Sequence, residues 1–110
     1  MEEAHMTTQE ANQEQFNVAA NLFMGLESVG GKMKIMDREI IFTPHKINAQ
    51  KKPLLIKIND IKEVGKRNTF YIVPNGLAIV VKSGEEYKFV VNNRQKIITH
   101  LNEQLVKQVK

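Results

Sequence analysis

The 110-residue chain has no cysteine, no tryptophan and only three prolines. Without cysteine there can be no disulfide and no thiolate-bound metal, so an apolar core must hold the fold alone. A chain of this length hides roughly two-thirds of its unfolded surface, enough for one unstapled domain. The lack of cysteine also fits a reducing, cytoplasmic setting. Aromatic residues make up 6%; once some are used in a core, few remain to stack on nucleic-acid bases. No apolar run approaches the roughly 20 residues of a membrane-spanning helix. The opening residues are acidic and polar, unlike a secretory signal.

What is present is an uneven distribution of charge. The chain has 16 Lys and Arg against 12 Asp and Glu, a net charge of +4. Four of the acids (Glu2, Glu3, Glu10 and Glu14) lie in residues 1–15, which hold no base, so the remainder carries a balance of +8. Residues 1–15 show no apolar periodicity and are expected to be a disordered acidic tail. His5-Met6 is what a common restriction-site junction encodes, which would put the natural start at Met6. The folded domain is expected over 16–110.

Short alternating segments follow. Period-two patterning predicts strands over 18–28, 32–36, 39–43, 54–58, 61–64, 70–73, 77–82 and 85–91. Turns are expected at Val29-Gly30-Gly31, Asp37-Arg38, Gly65-Lys66-Arg67-Asn68, Pro74-Asn75-Gly76 and Ser83-Gly84. The period then changes. Ile97, Ile98, Leu101, Leu105 and Val109 recur at helical spacing, predicting an amphipathic helix over 92–110 with Asn92 as N-cap and Gln95 completing a capping box. Gln95, Lys96, Thr99, Glu103 and Lys107 face the other way, and His100 stands at the edge of the stripe. The sum is a mainly β fold with one C-terminal helix, a partly open barrel whose end the helix must cover to bury its apolar stripe.

The order of short motifs resembles the GRAM domain family of the pleckstrin-homology superfold. The residues that carry the likeness are Asn21-Leu22-Phe23, Val29-Gly30-Gly31-Lys32, Ile40-Ile41-Phe42-Thr43-Pro44-His45, Ile58-Asn59-Asp60-Ile61, Pro74-Asn75-Gly76-Leu77 and the run from Tyr87 to Arg94. Met33 and Met36 depart from it, standing where branched or aromatic residues are more usual. The likeness is to a small stand-alone GRAM domain protein of bacterial type. It implies a pleckstrin-like pair of crossed antiparallel sheets, about seven strands in all, capped by the helix. It also implies membrane-associated or protein-binding roles and no enzymatic activity. Most of the matched residues have structural roles of their own: glycines for turns, Asp60 for an Asx-type turn, Phe42, Tyr87 and Phe89 for the core. The methionines Met24, Met33 and Met36 are expected to fill gaps in that core.

Catalytic chemistry has little support. Glu85 and Glu86 are adjacent in a strand, so they point to opposite faces and form no acid–base pair. His5, His45 and His100 share no ligand spacing, and neither a metal nor a cofactor is implied. Gly30-Gly31-Lys32 lacks the remaining residues of a phosphate-binding loop.

The functional signal lies in the bases. Residues 46–67 hold seven bases against two acids. Lys46, Lys51 and Lys52 are expected in one loop and Lys66 and Arg67 in another, together a cationic rim for an anionic surface. Lys32, Lys34 and Arg38 form a second basic group on the first hairpin, whose short turn argues against a specific inositol-phosphate pocket. The expected function is therefore a non-catalytic module that docks on anionic lipid at the inner face of the membrane. The alternative is an acidic protein surface or a peptide bound at a sheet edge or beside the helix. Nucleic acid is disfavoured, since only Phe70 and Tyr71 flank a base. An edge strand or the helix could also support homo-oligomers.

Overall fold

The computed structural model describes residues 12–25, 27–47, 51–69 and 73–109, with backbone only for 67–69, 73–75, 108 and 109. Seven strands are followed by one helix: β1 (Glu14–Met24), β2 (Glu27–Met36), β3 (Glu39–Pro44), β4 (Leu54–Lys57), a 3₁₀ turn (Ile58–Asp60), β5 (Ile61–Thr69), β6 (Val73–Val81), β7 (Glu86–Val91) and α1 (Arg94–Val109). All neighbours are antiparallel, in the order β4-β3-β2-β1-β7-β6-β5. The sheet curls into a half-barrel. β1 is long enough to pair with β2 along its length and with β7 near its end, so it joins the two halves. β4 and β5 end the order and do not pair, which leaves an open seam.

Alternation explains which side chains line the interior. Val29, Met33 and Ile35 of β2 are buried, while Lys32 and Lys34 between them point outward. Register places Met33 beside Phe42 and Ile35 beside Ile40. The Phe42 and Phe89 rings meet at a centroid distance of 5.7 Å and a tilt of 56°, within the range favoured by aromatic pairs. Ile97, Ile98 and Leu101 of α1 belong to the same core cluster. Leu105 packs partly against it, and the expected outward residues Gln95, Lys96, Thr99, Glu103 and Lys107 are exposed. His100 stands at the boundary as expected, its ring 5.3 Å from that of Phe16. The helix thus plugs one end of the half-barrel through its first two turns. No polar or charged residue is buried among the described residues.

Several turns lie elsewhere than the sequence predicts. The first reversal is not at Val29-Gly30-Gly31, which lie inside β2, but follows Met24 at Gly25, whose φ of 65° suits glycine. Gly31 is required for space instead: a Cβ there would stand 2.3 Å from the Thr43 carbonyl oxygen and 2.9 Å from the Pro44 Cα. β5 continues through Gly65, Lys66, Arg67 and Asn68, and Pro74-Asn75-Gly76 lie within β6. The connection between these strands, with Phe70 and Tyr71, lies outside the described residues. Propensity for a turn at those positions is overridden by pairing across a long hairpin, with Lys66 opposite Leu77 and Arg67 opposite Gly76.

Smaller differences follow the same logic. The helix begins at Arg94, after a turn at 92–93, and the Ile97 N–H donates to the Asn93 carbonyl. Gln95 donates through its amide to the Thr99 hydroxyl rather than closing a capping box on Asn92. Asp60 acts through its carbonyl, which accepts from the Lys82 N–H at 2.7 Å, and forms no Asx bond among the described residues. Met33 is fully buried, but Met24 is 48% exposed because β1 runs past the core there. β1 begins at Glu14; Asp37 accepts from the Gln13 N–H and the Gln15 side chain, tying the strand's start to the β2–β3 turn. Residues 1–11 of the expected tail lie outside the described residues.

Candidate functional site at the open end

The end of the half-barrel where β1 turns into β2 and β3 leads toward β4 holds a cavity of about 510 Å³. Leu22, Val29, Phe42 and Leu54 form an apolar floor, and Lys51, Lys52 and Glu86 line it with charge. The floor is apolar because these are inward positions of four different strands. The lysines reach it because Lys51 and Lys52 immediately precede Pro53 and the start of β4 at the mouth. Lys51 Nζ stands 3.4 Å from Glu27 Oε2, which ties the β3–β4 connection to the start of β2. At this exposure such a pair stabilises by at most about 1 kcal/mol.

Tyr87 stands at the wall of this cavity and of a second one along the seam. Its hydroxyl donates to Glu85 Oε1 at 2.9 Å. Burial first, then the hydrogen bond and charge of Glu85, hold the hydroxyl above its ordinary value near 10.0. Below about pH 9 the proton is bound in both folded and unfolded chains, and the stabilisation is fully present. It is lost as pH rises through the raised folded value. Chemical denaturation between about pH 9 and pH 12 should therefore show a steeper loss of stability in the native chain than in Tyr87→Phe.

The predicted basic residues divide between places. Lys51 and Lys52 line the mouth, and Lys46 is exposed two residues past β3 on the same connection. Lys66 lies within β5 rather than in a loop and is not among the described lining residues. Arg67 pairs with Gly76 through its backbone, and its side chain lies outside the described residues. Lys32 and Lys34 are not on a hairpin tip; they point outward from the middle of β2, and Arg38 lies at the far end of β2 and β3 from the mouth. Sequence reasoning missed the apolar partners of the lysines. Ile47 is 59% exposed beside Lys46, and Met24 ends β1 at the rim. An isoleucine inside an otherwise polar, basic loop was the available signal.

Among the described residues no group of three His, Asp or Glu side chains is placed to hold a metal ion. No described helix is long and apolar enough to cross a membrane.

A curled seven-stranded half-barrel closed at one end by a C-terminal helix defines the pleckstrin-homology-like class. Solved structures agree. A C-terminal domain of an unknown protein from Leishmania infantum superposes with a TM-score of 0.74 at 12% identity, covering 94% of this chain and 93% of that one. The N-terminal PH domain of human ARAP2 gives 0.67 at 14% identity, covering 84% and 80%. The linker-DH/PH structure of p115-RhoGEF gives 0.64 at 7% identity, covering 84% of this chain and 29% of that one. At such identities the likeness is one of fold. No curated protein sequence matches significantly. The sequence profile of the GRAM domain matches residues 6–110, and the chain belongs to that family. GRAM and pleckstrin-like domains are generally non-catalytic binding modules.

Proposed function

We propose that this domain is a non-catalytic module that docks on anionic lipid headgroups, peripherally, at the cytoplasmic face of a membrane. The observation that supports this reading most is that exposed Met24 lines the open end together with Lys51 and Lys52, while exposed Lys46 and Ile47 follow β3 on the same connection. Lysines near an anionic surface contribute about 1 kcal/mol each and set the orientation. Exposed apolar side chains between them then enter the boundary between headgroups and acyl chains, a step that salt does not screen.

The test is cosedimentation with phosphatidylcholine vesicles carrying about 30% phosphatidylserine, against phosphatidylcholine alone. Binding should require the anionic lipid and weaken with salt. Replacing Lys46, Lys51 and Lys52 together by glutamine should weaken it roughly a hundredfold. Met24→Ser with Ile47→Ser should lower affinity while leaving the salt dependence unchanged. Equal binding to neutral vesicles, or none to either, would refute the reading.

A further inference from the structure

Among the described residues, the end strand β4 leaves hydrogen-bonding groups of its outer edge unused. The Ile58 N–H donates to the Arg38 carbonyl, and this pair continues the β3–β4 register, in which Glu39 opposes Lys57 and Ile41 opposes Leu55. In an antiparallel ladder, hydrogen-bonded and non-hydrogen-bonded pairs alternate. Leu54 and Ile56 therefore bond to β3, and the N–H and C=O groups of Leu55 and the N–H of Lys57 point away from it, while the Lys57 carbonyl caps the 3₁₀ turn that follows. Those groups face the seam, because β4 ends the sheet order.

The seam is not closed. A cavity of about 420 Å³ runs along that edge, with Leu55, Ile56 and Lys57 on one side and Val81, Lys82 and Tyr87 on the other; the acidic residues Asp60 and Glu85 also line it. Its inner wall is apolar where Ile56 and Val81 meet it, both nearly buried. Its outer lip carries Leu55, 52% exposed, and Lys57, which makes no ion pair among the described residues.

We propose that the β4 edge is a docking site for an extended peptide of a partner protein, which adds as an eighth strand in the seam. The edge dictates the chemistry of that peptide. A residue opposite Ile56 points inward and must be apolar and β-prone; its neighbours point outward beside Leu55 and Lys57. Antiparallel addition therefore selects, in N-to-C order, an acidic residue against Lys57, a branched aliphatic one against Ile56 and an apolar one against Leu55. A single strand is the occupant that fits. A second copy of the domain would bring its own β3 behind its β4, where the wall formed by Val81, Lys82 and Tyr87 stands.

The probe is the acetylated and amidated peptide Thr-Glu-Val-Leu-Thr, followed by amide resonances of the protein on titration. Saturable binding is expected, with hydrogen exchange at the Leu55 and Lys57 amides slowed about tenfold or more at saturation. N-methylation of the peptide's Leu amide, which faces β4, should weaken binding about tenfold, while N-methylation of its Val amide, which faces away, should not. Leu55→Pro removes a donor that β3 does not use, so the protein should stay folded and lose binding while Leu55→Ala keeps most of it. The N-methyl pair needs no change in the protein and decides the matter if Leu55→Pro misfolds. Absence of saturable binding, or equal weakening by the two N-methyl peptides, overturns the proposal. So does protection of the same amides on concentrating the protein without peptide, which would assign the edge to a second copy.

Discussion

Leu101→Asp is expected to leave no folded protein at ambient temperature, read as loss of near-native chemical-shift dispersion and of the thermal transition. Leu101 is fully buried in the core cluster, one turn beyond Ile97 on the helix that packs against β5 and β6. Removing the leucine side chain alone costs about 2–5 kcal/mol. A carboxylate in its place has no partner, since no polar or charged residue is buried among the described residues. It must either lose hydration or take up a proton, at a further cost of several kcal/mol. The sum reaches the whole stability of a small domain, about 5–15 kcal/mol. Lys107→Asp changes the charge by twice as much six residues later, but on an exposed face. It should change stability by less than about 0.5 kcal/mol, apart from a small unfavourable effect near the helix C-terminus. A folded, cooperative Leu101→Asp would mean that the helix does not close the half-barrel.

Gly31→Ala is the second large effect, because one methyl group has nowhere to go. Its Cβ would meet the Thr43 oxygen and the Pro44 Cα, both backbone atoms that rotation of a side chain cannot move, with the Phe42 ring also 2.9 Å away. β2 and β3 would have to part at the end where Gly31 pairs with Pro44. Overpacking of this kind costs about 2–3 kcal/mol, a fall of about 15 °C in Tm for a domain of this size. Gly30→Ala makes the control. There the nearest atoms belong to the side chains of Asn21 and His45, at 3.0 and 3.3 Å. Those can turn aside, so the change should be small. Comparable melting of the two variants would show that the strands yield more readily than the geometry implies.

These two glycines mark where reading along the chain stops being sufficient. A Gly-Gly pair between alternating segments carries the signal of a tight turn. The same pair inside a strand serves close approach of the next strand, and nothing in residues 29–32 distinguishes the two cases. The reversal fell instead at Gly25, one glycine after a longer run. Pro74-Asn75-Gly76 misleads for the same reason: pairing of β6 with both β5 and β7 outweighs local turn preference.

The mainly β character, the helix and its buried face were legible because they rest on periodicity, a property of neighbouring residues that survives any global arrangement. The inward sets of β2, β3 and β7 follow the same rule, as do Ile97, Ile98 and Leu101. Family membership was legible through motifs spread in order along the chain. The grouping of charges was not. Lys51 and Lys52 share the mouth with Met24, which lies far from them in sequence, whereas Lys66 and Arg67 are carried into β5. Nor could the unused edge of β4 be read from four residues, since an edge is defined by which strand fails to pair. Composition and spacing act locally and settle what each segment becomes; sheet order, closure and the meeting of distant loops depend on contacts that exist only once the chain has curled, and those decide where anything can bind.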